Sequence, residues 1–143
     1  MRTAMPSWKT LTFRVGSEWA PDAYFGLDAL QLRTDGTFEF EHRQRGEVQL
    51  ATGAVAPVVL REIEQWLRAA GFPAVPPHDI PPGSGLVELV VADRSRSQVA
   101  LMHYYAALKF PGYGDLVRSL VAWTAWLREG GDADKAPPGF TRA

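Results

Sequence analysis

The sequence predicts an α+β fold: an antiparallel sheet of about five or six strands with two main amphipathic helices packed on one face. Three observations predict it. Short alternating apolar segments flank turn signals twice, around Asp35-Gly36 and around Asp93-Arg94-Ser95-Arg96. Two stretches, over 57–70 and 115–128, carry apolar residues at helical spacing. The chain has no further apolar stripes from which a second layer of helices could be built.

The elements follow in order. Residues 8–15 alternate apolar and polar, with Leu11, Phe13 and Val15 on one face of a strand. An aromatic-containing loop follows over 16–26, with Trp19, Tyr24 and Phe25. The next unit is a hairpin. A two-residue loop at Asp35-Gly36 would set Leu32 against Glu39, apolar against acidic. A three-residue loop, Thr34-Asp35-Gly36, pairs Leu32 with Phe38, Leu30 with Phe40 and Asp28 with His42. It also places Gly36 where a type I turn plus bulge needs a positive φ, so this register is preferred. Gly46 marks a further turn, and 47–50 reads as the next strand of the meander.

Pro57 opens a helix whose stripe is Val59, Ile63, Trp66, Leu67 and Ala70, and Gly71 stops it. Five prolines between Phe72 and Gly85 forbid regular structure there and favour a stiff surface loop. Residues 86–92 and 99–105 form a second hairpin, in which matching Val91 with Val99 and Leu89 with Leu101 sets His103 opposite Val87. Asp115 caps the last helix. Its stripe is Leu116, Leu120, Trp123 and Leu127, and Trp126 falls off it, toward water or a partner. Trp66 and Trp123 are the expected core anchors. The single domain is expected over 1–130, with 131–143 as a mobile tail rich in Gly, Asp and Pro.

Composition bounds the function. The chain has 143 residues, 46% hydrophobic and 22% charged, the balance of an ordinary globular domain large enough for a core. A formal net charge of −1 with no run of like charge argues against a nucleic-acid partner. The absence of cysteine excludes disulfides and thiolate zinc sites. The first residues lack a signal-peptide core, and no apolar run approaches membrane-spanning length, so a cytoplasmic protein is expected. Arginine far outnumbers lysine, isoleucine is scarce and asparagine is absent, the codon bias of a GC-rich genome.

No stretch carries a catalytic or cofactor signature. Gly83-Ser84-Gly85 precedes a strand, whereas a nucleophile elbow needs strand, turn and helix. Gly112-Tyr113-Gly114 precedes a helix but lacks a full glycine fingerprint, and Asp115 would repel phosphate. Asp28, His42 and His103 face inward at strand ends, and a pocket near them is the basis of an alternative reading as a metal-binding or small-molecule enzyme, although nothing in the sequence brings the ends of the two hairpins together. Their spacing follows no short metal motif, and a paired rim His42 with a half-buried His103 is the plainer reading. No metal and no cofactor is assigned. Aromatic residues outside the stripes point instead to protein contacts: Trp19, Tyr24, Tyr104, Tyr105 and Tyr113 are the candidate partner-binding residues. Trp126 and the aromatic loops also admit a homo-oligomer.

The hairpin over 30–40 around Asp35-Gly36, and the run from Gly53 through Pro57 into the helix ending Ala70-Gly71-Phe72, resemble small cytoplasmic bacterial immunity proteins of polymorphic toxin systems. The likeness covers about a third of the chain and lies in pattern, so no functional residue is carried over from it. It implies a non-catalytic protein that binds and blocks a cognate toxin encoded beside it.

Overall fold

A computed structural model describes residues 8–16, 26–82 and 84–143. Seven strands are described in one antiparallel sheet: β1 (Thr10–Gly16), β2 (Leu27–Arg33), β3 (Thr37–Gln44), β4 (Glu47–Val55), β5 (Leu86–Ala92), β6 (Ser97–His103) and β7 (Phe140–Arg142). Their order across the sheet is β6-β5-β1-β2-β3-β4-β7. Two main helices, α1 (Pro57–Ala70) and α3 (Tyr113–Arg128), and a single turn, α2 (Tyr104–Ala107), complete the α+β architecture. The sheet thus has one strand more than the upper expectation, and that strand is β7. No helix among the described residues is long and apolar enough to cross a membrane.

The core lies on one sheet face. Leu11, Phe13, Leu30, Leu32, Phe38, Phe40, Val87, Leu89 and Met102 are buried there, and Leu60, Ile63, Leu116 and Leu120 close it from the helices. The first hairpin has the expected register: Leu32 faces Phe38, Leu30 faces Phe40, and Asp28 faces His42. Gly36 has φ +91°, as the bulged turn requires.

β4 is longer than expected because Ala51 and Val55 continue its inward row to the start of α1. Its middle inward position is Gly53, where a Cβ would sit 2.5 Å from the Phe38 ring. Only glycine lets β3, β4 and β7 close over that ring.

α1 has the expected bounds. Gly71 (φ 73°) ends it in a left-handed turn, with the Phe72 N–H donating to the Leu67 carbonyl at 3.0 Å. Trp66 is only half-buried, packed against the core edge rather than anchoring it. The burial falls instead on Val59, Leu60, Ile63 and Leu67. α3 begins two residues before Asp115. Gly112 occupies its cap position, and no side chain caps it.

The second hairpin departs from expectation by one residue. The register is Val91 with Gln98, Leu89 with Ala100, Val87 with Met102 and Leu86 with His103. The turn is the reason. One Asp93 carboxylate oxygen accepts from the Ser95 N–H, the Ser95 hydroxyl and the Arg96 N–H, and the Asp93 N–H donates to the Arg96 carbonyl at 3.0 Å. These bonds hold the Asp93 carboxyl below its usual pKa and close a tight loop on Arg94-Ser95. A slip of one residue reverses the two faces of a strand. Ala100 and Met102 therefore point into the core, and His103 points away from it.

The segment after Gly130 docks rather than trailing as a mobile tail. A short 3-10 turn (Ala133–Lys135) leads into β7, which pairs with β4 through Val55–Phe140, Ala54–Thr141 and Gly53–Arg142. Phe140 is buried and touches Phe38, Trp123 and Trp126, with ring centroids 5.8, 4.6 and 6.2 Å away. Trp126, expected to face outward, is consequently buried.

Candidate functional site

A constellation of charged side chains converges on a buried carboxylate, Asp28, and β2 and β3 build it. Asp28 and His42 form the cross-strand pair at the open end of the first hairpin. The His42 Nδ1 lies 2.5 Å from one Asp28 carboxylate oxygen. Arg128, the last residue of α3, donates from a guanidinium nitrogen to the other oxygen, also at 2.5 Å. Both Asp28 oxygens are thereby engaged, as a carboxylate only 8% exposed demands. The other ring nitrogen of His42, Nε2, lies 3.3 Å from the Gln44 side-chain oxygen.

The backbone prepares this arrangement in two places. Gly26 has φ +95°, and a Cβ there would stand 2.9 Å from Cε1 of His42, so the ring lies flush against a bare backbone. The Gln49 side chain donates to the Leu127 and Arg128 carbonyls at 3.3 and 3.0 Å. It thus satisfies two of the last carbonyls of α3 and fixes the helix end from which Arg128 reaches Asp28.

Around the cluster opens a cleft of about 500 Å³, lined by Val15, Gly16, Gly26, Asp28, His42, Gln44, Gly85, Tyr104, Tyr105, Val121 and Arg128. Tyr104 and Tyr105 stand on α2 with their rings edge-to-face at 5.2 Å. Tyr104 is half-buried, while Tyr105 is 67% exposed. The cleft therefore combines a hydrogen-bonded charged floor with an aromatic rim.

His103 does not belong to this site. It lies on the opposite sheet face, four strands from His42, a separation of roughly 19 Å at the spacing of a sheet. Its ring stands against Tyr105, centroids 5.8 Å apart. His78 is occupied elsewhere: its Nδ1 donates to the Pro76 carbonyl at 2.8 Å, and its Nε2 accepts the His103 backbone N–H at 3.0 Å. Among the described residues, no three His, Asp or Glu side chains converge as metal ligands.

Chemically, Asp28 and His42 have the geometry of an oriented imidazole. The partner of Nε2 is the Gln44 amide and not a Ser or Thr hydroxyl, so these contacts contain no nucleophile relay. With a neutral imidazole the three charged side chains sum to zero, and with an imidazolium they carry one positive charge.

Of the other expected contact residues, Trp19 and Tyr24 lie outside the described residues. Tyr113 is corrected outright. It is fully buried, its hydroxyl donates to the Ala74 carbonyl at 2.6 Å, and it pins the proline-rich loop to the core. Burial pushes its phenol up from 10.0 to about 12. The neutral form is thus the one that folding favours, and the stability it contributes is present below pH 10.0 and lost as pH rises toward about 12. Denaturant titrations across that window should show a steeper alkaline loss in the wild type than in Tyr113→Phe. Parallel losses would remove this role.

Arg128 and Gln49 had no signal in the sequence beyond a basic residue at a helix end. Arg128 and Asp28 are 100 positions apart, and only the packing of α3 across the sheet joins them. A second hollow of about 180 Å³, beside Trp8, Glu64, Arg68 and Arg96, is smaller. Its Glu64 oxygens are already taken by the Trp8 indole at 2.7 Å and by Arg68 at 3.2 Å. Compared with known proteins, the chain matches no family model and no curated protein.

Proposed function

We propose that this chain is a non-catalytic, cytoplasmic protein-binding module, an immunity protein that neutralises a bacterial toxin encoded beside it. The observation that carries the reading is the cleft mouth, where Tyr105 is 67% exposed beside Tyr104. Tight protein interfaces concentrate their energy in a few aromatic and arginine anchors, and Tyr104, Tyr105 and the partly exposed Arg128 supply that composition at one place. The non-catalytic part rests on the floor, where Asp28 and His42 direct their polar atoms at each other, Arg128 and Gln44. The near-neutral charge favours a protein over a nucleic acid as partner.

Co-expression with the product of the neighbouring gene tests the proposal. A stable complex and restored growth are expected. Tyr105→Ala should weaken the complex at least about tenfold, the equivalent of about 1.4 kcal/mol, with little change in melting temperature. If the neighbour is harmless alone and no complex forms, the reading fails.

One observation favours a second reading, a small-molecule pocket: Nε2 of an oriented His42 borders a cleft whose size suits a ligand. A compound that raises the melting temperature of the wild type but not of His42→Ala would move the conclusion there. His103 has no part in that pocket.

A further inference from the structure

The sheet ends on one side in β6, and the hydrogen-bond pattern fixes what that edge offers. The Tyr104 N–H donates to the Gly85 carbonyl at 2.9 Å, and the Asp93 N–H donates to the Arg96 carbonyl at 3.0 Å. In an antiparallel pair, bonded positions alternate with non-bonded ones. Gln98, Ala100 and Met102 therefore bond to β5, while the N–H and C=O groups of Ser97, Val99, Leu101 and His103 point outward. The outward N–H of His103 is taken by His78. Those of Ser97, Val99 and Leu101 have no partner among the described hydrogen bonds.

Edge strands usually carry a lysine, a proline, a bulge or a cover that prevents pairing. β6 reads Ser-Gln-Val-Ala-Leu-Met-His, without a formal charge or a proline. Its exposed side chains are Ser97 and two apolar ones, Val99 at 51% and Leu101 at 45% exposure. At the opposite end of the sheet, β7 is three residues long and carries Arg142.

We propose that β6 pairs antiparallel with β6 of a second copy of this chain, joining two sheets into one across a two-fold axis at Val99. The symmetry of the open row selects this occupant. Centred on Val99, Ser97 of one copy faces Leu101 of the second, Val99 faces Val99, and Leu101 faces Ser97. Each of these pairs exchanges two N–H···O bonds, so every outward group between the Asp93 turn and the His78 cap finds a partner. The next pair outward would bring His103 against Ser95, and there the row stops, because His78 holds the His103 N–H and Ser95 lies in the turn. Side chains fit the same axis. Val90 lies beside Val99 on β5, so the outer face would carry four valines in a row across the junction. The uncharged strand brings no like charges together when it meets its own copy.

Light scattering across a micromolar concentration series reads the mass, and amide exchange by NMR reads the bonds. The wild type is expected to form a dimer whose Ser97, Val99 and Leu101 amides gain protection with concentration. Val99→Pro removes an outward N–H while leaving every β5–β6 bond in place, so a folded monomer is expected. Should that variant fail to fold, Val99→Lys sets two ammonium groups opposite each other at the axis. It should raise the concentration midpoint of dimerisation at least about tenfold. A wild type that stays monomeric throughout overturns the proposal, including the case in which those three amides gain protection only when another protein is added. A dimer that survives both substitutions overturns it equally. None of these readouts depends on the Tyr105 cleft or on a toxin.

Discussion

Trp126→Ala is expected to cost as much stability as Trp123→Ala, about 3–5 kcal/mol each. The two indoles are equally buried, each 7% exposed. Trp123 packs on Phe140 with ring centroids 4.6 Å apart, and Trp126 meets the same ring edge-on at 6.2 Å. Trp126 also donates its indole N–H to the Asp132 carbonyl at 2.9 Å, so truncation removes packing and one hydrogen bond together, while that carbonyl keeps the Lys135 N–H at 3.0 Å. Because Phe140 sits between the two indoles and Phe38, the two indole truncations should be non-additive. Chemical denaturation of Trp123→Ala, Trp126→Ala and the double variant measures this. A Trp126→Ala loss below about 0.5 kcal/mol, the range of surface substitutions, would show that the C-terminal segment does not cover α3.

That segment also shows where local pattern stops informing. Helical periodicity in 116–127 marks the face that meets the sheet, and it did so correctly for Leu116, Leu120, Trp123 and Leu127. Periodicity is silent about a second face covered by chain that arrives later. Phe140 is a lone aromatic among Gly, Pro and charged residues, so nothing near it reads as a strand. The two hairpins make the same distinction. In β2–β3, apolar and polar residues alternate sharply, and only one register matches the faces. In β5–β6, Val90, Val91, Val99, Ala100 and Leu101 put apolar groups on both faces. Periodicity could not choose there, and three hydrogen bonds to the Asp93 carboxylate did. His103 changed faces with that choice. Asp28 and His42 were legible because they belong to the sharply alternating hairpin. Arg128 was not, because its partner is reached only through tertiary packing.

Gly112→Ala is expected to destabilise the fold by about 2–5 kcal/mol, from two separable causes. Gly112 has φ 76° and ψ −52°, a conformation that L-residues avoid at a cost of about 1–2 kcal/mol. A Cβ there would also lie 2.3 Å from the Ala70 nitrogen and 2.5 Å from the Trp66 carbonyl oxygen. Both are backbone atoms in the last turn of α1, so no rotamer change relieves the contact. The start of α3 must move away from α1, and overpacking of that kind costs about 1–3 kcal/mol. Gly46→Ala separates the causes. Gly46 also has a positive φ, +80°, but its Cβ would meet nothing within 4 Å, so it carries the conformational cost alone. An excess of Gly112→Ala over Gly46→Ala in denaturant unfolding is therefore expected, from the crowding against α1 together with the ψ of −52°, which lies outside the left-handed helical region. The same displacement should reach the far end of α3, where Arg128 holds Asp28. A change in the His42 ring resonances, unaltered in Gly46→Ala, would report it. Equal losses in the two variants would mean that α1 and α3 do not meet backbone to backbone at Gly112.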